Sequence, residues 1–356
     1  MNNNIKDVLN RYGLESDTQA YGNGHINDTY VLEDGKLILQ RINTNIFKNP
    51  EELMENVVNV TEFLKKKISE QGGNPDRETL TVVKTTDGKT FHQTEDGNVY
   101  RIYKFIQDTR TIESNGSAED LYHAGVGFGR FQKMLSDFPV EILHETIKDF
   151  HNTPKRIETL KAAIANDKAG RAASVQKEIE FALNYEKDAS IVVNGIADGS
   201  IPLCVTHNDT KINNIMFDNQ SNLGLCVLDL DTVMPGSRLY DVGDALRVGG
   251  STAAEDETDL EKVWFNVKAF EAFAKGYLSE LGDVLTEKEL ELLPFSVRLI
   301  TYEQGVRFLT DYLDGDTYYK IHSEHHNLER TRNQFKLVAD LLEKEEQMKA
   351  FVSSLL

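Results

Sequence analysis

Apolar residues recur along this chain in two rhythms, and the rhythm changes near residue 107. Before that point, short apolar runs alternate with turn signals. KLILQRI (36–42), TLTVVKT (79–85) and VYRIYKFI (99–106) are rich in Val, Ile and Tyr and read as strands. Asp34-Gly35, Asp87-Gly88 and Asp96-Gly97 separate such runs, as antiparallel hairpins require. One helical segment interrupts them. EELMENVVNVTEFLKKK (51–67) places Leu53, Val57, Val60 and Leu64 on one face, behind the start signal Asn49-Pro50. A five-stranded antiparallel sheet with one helix accounts for this region.

Beyond it the spacing is helical. Residues 118–136, 156–168, 174–197, 258–281, 286–313 and 326–350 carry apolar positions three and four apart with few breakers. A strand-like island from Cys204 to Asp231 interrupts them. The pattern predicts an α+β chain with the protein-kinase-like bilobal layout. An N-terminal lobe, 1–106, of antiparallel sheet and one helix would bind nucleotide, and a larger, mainly α-helical C-terminal lobe, 107–356, would carry catalysis and substrate.

Composition narrows the partners. At 356 residues, with 40% hydrophobic and 27% charged, the chain is long enough for two globular lobes. No apolar run approaches the roughly 20 residues that span a bilayer, and MNNNIKDVLN lacks a basic-then-apolar leader. A net charge of −19 argues against a nucleic-acid partner, whose phosphates demand a basic surface. Cys204 and Cys226 are too few for a disulfide framework and sit in apolar stretches, so buried thiols and a cytoplasmic location are expected.

The chemistry lies in the island. VTHNDTKINNIMF (205–217) contains His207-x-Asp209-x-x-x-x-Asn214, the spacing of a phosphoryl-transfer loop. An aspartate there accepts a hydrogen bond from an attacking hydroxyl and orients it toward a terminal phosphate. An amide oxygen five residues on ligates Mg²⁺ without setting a second charge beside that base. After a turn at Asn222-Leu223-Gly224 comes CVLDLDT (226–232), where Asp229 follows an apolar strand and meets the metal from its other side. ATP and Mg²⁺ are the implied cofactors. His207 reads as a structural histidine that braces the loop. Asp231 either braces it too or touches a second ion.

These residues bring a resemblance with them. HNDTKINNIMFD, VLDLDT and YDVGDALR match the shared core of the aminoglycoside phosphotransferase and choline kinase superfamily. Within it the chain is most similar to the N-acetylhexosamine 1-kinases, through YGNGHINDTY (21–30), LILQRINTNIF (37–47), YRIYKFI (100–106), RFLTDYLDGD (307–316) and HNLERTR (326–332). The resemblance implies an ATP-dependent kinase whose small-molecule substrate is a sugar, phosphorylated on the anomeric hydroxyl of N-acetylglucosamine or N-acetylgalactosamine. It makes Asp209 the base, with Asn214 and Asp229 on Mg²⁺. It places Tyr21, Gly22, Asn23 and Gly24 in the turn over the phosphates, with Gln40 and Phe105 also at the nucleotide. His25 and Arg307 join Asp209 around the sugar, while His207, Asp244 and Arg247 support the floor. The same fold also serves aminoglycoside, choline and homoserine phosphotransferases and nucleotide-binding pseudokinases.

Two departures stand out. Gly22-x-Gly24-x-x-Asn27 keeps only two glycines of the phosphate loop, and KLILQRI has Gln40 where the superfamily commonly has lysine, with Arg41 beside it. Strand alternation points neighbouring side chains to opposite faces, so only one of Gln40 and Arg41 can face a nucleotide. The similar hexosamine kinases carry glutamine here as well. Without the lysine, neither Glu55 nor Glu62 of the 51–67 helix has an assigned ion-pair partner.

Overall fold

The computed structural model describes residues 3–21, 27–32, 35–112 and 116–356. Gly22, Asn23, Gly24, His25 and Asp34 therefore lie outside the described residues. The N-terminal region opens with helix α1 (Asn3–Arg11) and strands β1 (Gln19–Ala20), β2 (Asp28–Leu32) and β3 (Leu37–Ile42). Helices α2 (Pro50–Glu70) and α3 (Pro75–Glu78) follow, then β4 (Val82–Val83), β5 (His92–Gln93) and β6 (Val99–Lys104). The strands form one antiparallel six-stranded sheet in the order β1-β2-β3-β6-β4, with β5 also on β6. The expected count was five; β5, two residues long, is too short to carry a period of its own. Gly88 and Gly97 have φ of +87° and +84°, as Asp-Gly turns demand. Only the second closes a hairpin, since β4 and β5 both pair with β6 rather than with each other.

Alternation sorts this sheet into two faces. Leu39, Tyr100 and Ile102 pack with Ile5, Val8 and Leu9, the apolar stripe of α1, and with Tyr12 just after it, which the sequence reading missed. Ile42, Val99 and Tyr103 face the other way, into the core shared with α2. The α2 helix buries Leu53, Val57, Val60 and Leu64 as expected, and Asn49 caps it by accepting from Glu52 N. Burial at about 1.5–3 kcal/mol per large apolar side chain outweighs the helix cost of Val57, Val58, Val60 and Thr61, at most about 0.7 kcal/mol each.

The rest of the chain is mainly helical: α4 (Ala118–Met134), α5 (Thr153–Asn166), α6 (Gln176–Asn184), α7 (Ile191–Asp198), α8 (Arg238–Gly249), α9 (Val267–Leu281), α10 (Glu287–Asp314) and α11 (His326–Leu355). Strand β7 (Thr109–Arg110) pairs with β9 (Ile215–Asp218), which also pairs with β10 (Gly224–Val227). Strand β8 (Cys204–Thr206) pairs with β11 (Met234–Gly236). These two small sheets hold the island. Helices α4 and α9 meet at glycine: a Cβ on Gly125 would lie 2.2 Å from Phe273 O, and one on Gly276 would lie 2.1 Å from Tyr122 O. The α+β class, with an N-terminal antiparallel sheet and a helical C-terminal part, is as predicted.

Three helical boundaries differ. The 174–197 segment is two helices, because the Tyr302 hydroxyl takes up Ala182 O at the end of α6 (2.6 Å) and Arg298 draws Asp188 out of helical register (2.8 Å). Residues 258–266 are not part of α9: Phe265 N donates to Asp340 and Phe265 bridges to Ser251 instead. Helix α8 has no counterpart in the six predicted segments. Among the described residues, no helix is long and apolar enough to cross a membrane. Cys204 and Cys226 are buried and free.

Candidate active site

The turn between β8 and β9 is fastened from three sides. His207 is fully buried and edge-on to Phe128 and Phe131. Its Nε2 lies 2.7 Å from Leu228 O, which can only accept, so the ring proton sits there. Nδ1 then accepts from Asp209 N at 3.2 Å. The imidazole is thus spent on the backbone of two loops, a bracing geometry. Asn208 holds the left-handed conformation (φ 67°), secured by its amide donating to Thr206 O and Thr232 O at 3.2 and 2.8 Å.

Helix α8 supplies the floor. Asp244 accepts from Thr210 N at 2.9 Å and pairs with Arg247, which also reaches Glu255. One turn earlier, Asp241 does more. It accepts from His207 N (3.0 Å), Asn208 N (2.8 Å) and the Gln132 amide (2.6 Å). Burial raises its carboxyl, and these donors offset part of that. Asp241 was not singled out from sequence, although YDVGDALR places it one turn from Asp244.

Three carboxylates with different partners converge here. Asp209 Oδ1 lies 2.7 Å from Lys211 Nζ, while Asn214 Nδ2 donates to Asp209 Oδ2 at 3.0 Å and to its backbone oxygen at 2.8 Å. Burial alone would raise the Asp209 carboxyl; the Lys211 ammonium and the Asn214 amide outweigh it and hold the group below the usual range. Asp209 therefore stays ionised. Asp231 is ion-paired with Arg101 and accepts from Asn27 Nδ2 at 2.7 Å, so it braces the loop against the N-terminal sheet. Asp229 has left-handed backbone (φ 51°, ψ 61°). Burial, then the neighbouring Asp231 and Asp209 charges, push its carboxyl up to about 7.

Among the described residues, Asp229 is the carboxylate of the three that has no cation paired with it. The amide nitrogen of Asn214 is engaged by Asp209, which turns the amide oxygen the other way. A buried, charge-poor carboxylate and an outward amide oxygen are hard oxygen donors suited to Mg²⁺. Among the described residues no three His, Cys, Asp or Glu side chains cluster as a metal cage.

A cleft of about 210 Å³ opens beside these groups, bordered by Asn214 and Asp229 on one wall and by Tyr21, Gln40, Arg101 and Phe105 on the other. Tyr21 and Phe105 meet edge-on at 5.8 Å. Ile38, Leu80, Met216 and Leu228 give it apolar walls able to hold a flat base. Gln40 faces the cleft. Arg41 points outward and pairs with Asp28 and Asn98, which resolves the alternation. Gln40 Oε1 accepts from Arg101 Nε and Nη2 at 3.1 and 2.9 Å, and its amide donates to Thr29 Oγ1 at 3.2 Å. Arg101 and Lys211 are the two cations that sequence reasoning missed.

Arg307 lies on α10 and is not among the described residues that line this cleft. Its guanidinium lies 5.5, 6.0 and 5.8 Å from the ring centres of Phe150, Tyr318 and Tyr319, and Nη1 donates to Gln304 at 3.2 Å. Burial works against its charge, and the Tyr319 phenol and Glu303 carboxylate outweigh that. The Tyr319 field also reaches Arg247 on the floor helix.

The fold has counterparts among solved structures. A microcompartment-associated aminopropanol kinase superposes with a TM-score of 0.59 at 15% identity, over 97% of this chain and 98% of its own. A spectinomycin phosphotransferase in complex with ADP and spectinomycin gives 0.57 at 15%, over 96% and 97%. An amicoumacin kinase in complex with AMP-PNP and Ca²⁺ gives 0.58 at 14%, over 90% and 87%. These likenesses establish the fold. At the level of sequence, residues 17–278 match the phosphotransferase enzyme family, more than half of the chain and including the whole catalytic island, and the chain belongs to that family.

Proposed function

We propose that this protein is an ATP- and Mg²⁺-dependent kinase that phosphorylates the anomeric hydroxyl of an N-acetylhexosamine to give the sugar 1-phosphate. The observation that carries the kinase part is the ionised Asp209, held by Lys211 and Asn214 beside the cleft that Asp229 borders. In this reading Asp209 accepts the proton of the attacking hydroxyl. Asn214 and Asp229 would hold a magnesium ion, which when bound neutralises phosphate charge. Residues 1–106 receive the nucleotide and residues 107–356 the sugar.

The sugar part is supported by the full-length resemblance and by Arg307. A guanidinium ringed by Phe150, Tyr318 and Tyr319 offers flat faces to a pyranose and fixed N–H donors to its hydroxyl and amide oxygens. An anomeric hydroxyl is also more acidic than an ordinary alcohol, which lightens the work of Asp209. The test is ADP release from ATP and Mg²⁺ with N-acetylhexosamines, their methyl glycosides, choline and aminoglycosides. N-acetylhexosamines should turn over, their methyl glycosides should not, and the product should lose its reducing end. Faster turnover of choline or an aminoglycoside would overturn the sugar assignment and leave the kinase standing.

A further inference from the structure

Gln40 occupies the inward position of β3 where related phosphotransferases commonly set a lysine, and its amide carries no charge. The charge is present one strand away. Gln40 and Arg101 are direct cross-strand partners, so their Cα atoms share one register position on strands about 4.8 Å apart. Both side chains lie on the face of Ile42, Val99 and Tyr103, opposite the face packed on α1. We propose that Arg101 is the cation that meets the nucleotide's phosphates in this protein, displaced by one strand and aimed by Gln40 and Asp231. The proposal rests on the kinase reading above.

The guanidinium is 1% exposed and almost fully assigned. Of its five N–H donors, Nε and one on Nη2 go to Gln40 Oε1, and one on Nη1 goes to Asp231. Met54 Sδ lies 3.8 Å from Nη1. The second Nη2 hydrogen meets no acceptor among the described residues, and the group borders the same cleft as Asn214 and Asp229. A pair that only fastened sheet to loop would need no third group. Gln40 instead gives its carbonyl to two guanidinium N–H groups and its amide to Thr29, which fixes the plane of the fork.

The helix that would otherwise anchor such a cation does not compete. On α2, Glu55 goes to His144 at 2.6 Å and Glu62 to Lys65 at 2.8 Å, both at the surface. The anchoring carboxylate is Asp231, two residues beyond Asp229. The phosphate-facing cation and the metal-facing carboxylate are thereby held by one loop. Charge favours it as well: among the described residues Asp209 pairs with Lys211 and Asp231 with Arg101, Asp229 has no ion-pair partner, and a nucleotide polyphosphate adds more negative charge.

Binding of ATP, ADP and adenosine to wild type, Asp231→Asn, and the double variant Arg101→Met/Asp231→Asn tests this by calorimetry. The double variant avoids stranding a buried carboxylate, and thermal unfolding confirms that each protein folds. ADP and ATP should bind roughly ten- to a hundredfold more weakly to the double variant than to Asp231→Asn. Adenosine should differ by no more than about twofold between them. Equal ADP affinity in the two variants, or equal losses for adenosine and ADP, would overturn the proposal. Wild-type protein that binds no adenine nucleotide would instead overturn the kinase reading, and this proposal with it.

Discussion

Lys211 Nζ lies 2.7 Å from one oxygen of Asp209 while Asn214 donates to the other at 3.0 Å, so both oxygens of one carboxylate are held by residues two and five positions along the chain. A carboxylate fixed and ionised in this way accepts a hydroxyl proton without first losing its own. Asp209→Asn keeps the size and removes the charge. Turnover should fall by about 10²–10⁴-fold with ATP affinity near wild type. Steady-state rates and a nucleotide titration check this, and turnover within a factor of a few of wild type would remove Asp209 from the role.

In the proposed mechanism, Lys211 sets the pH range over which Asp209 acts as base. Its ammonium is the largest influence lowering the Asp209 carboxyl against burial, and the ammonium is itself held charged by Asp209. Lys211→Met therefore raises the Asp209 pKa. Because the base must be ionised, the acid limb of kcat/KM against pH should move to higher pH in the variant. An unmoved acid limb would show that another group controls it.

Asp229 presents the opposite case. A carboxyl whose folded pKa, about 7, lies above its unfolded value binds its proton more tightly in the folded state. Stability from this group is therefore present at acid pH and lost as pH rises toward 7. Metal-free wild type should lose melting temperature between about pH 5 and 7.5. Asp229→Asn should flatten that loss and melt a few degrees higher at neutral pH, since one pKa unit is worth about 1.4 kcal/mol. Mg²⁺ with ADP should restore wild type and do little for the variant. A variant that melts below wild type at pH 7.5 would mean that the carboxylate is not a strained, cation-poor group.

Much of this was legible in the sequence because it is local. The 51–67 helix, the strands around Leu39 and Ile102 and the spacing of Asp209, Asn214 and Asp229 all depend on residues near one another in the chain. What escaped was set by register and tertiary contact. Nothing in VYRIYKFI says that Arg101 faces Gln40 rather than solvent; that follows only when β6 pairs with β3. Asp241 gains its role because α8 brings it against two backbone N–H groups more than thirty residues earlier in the chain. The break between α6 and α7 is made by Tyr302 and Arg298, from a helix over a hundred residues later. The apolar spacing across 258–266 reads as helical, but Asp340 captures the Phe265 N–H and holds the segment out of α9.

Arg307 gives the sharpest check on the acceptor side. Its guanidinium is flanked by Phe150, Tyr318 and Tyr319 and steadied by Gln304, whose amide nitrogen also donates to the Tyr319 hydroxyl at 3.1 Å. Arg307→Lys keeps the positive charge but loses the flat fork that can reach two oxygens and lie along aromatic faces. If the sugar docks here, KM for N-acetylhexosamine should rise roughly ten- to a hundredfold, the loss of one or two hydrogen bonds to a charged donor. KM for ATP should stay near wild type, because Arg307 is not among the described residues that line the cleft beside Asp229. The split between the two KM values is the decisive reading. A rise in KM for ATP with the sugar KM unchanged would move Arg307 to the nucleotide side and leave the acceptor pocket to be sought elsewhere around Asp209.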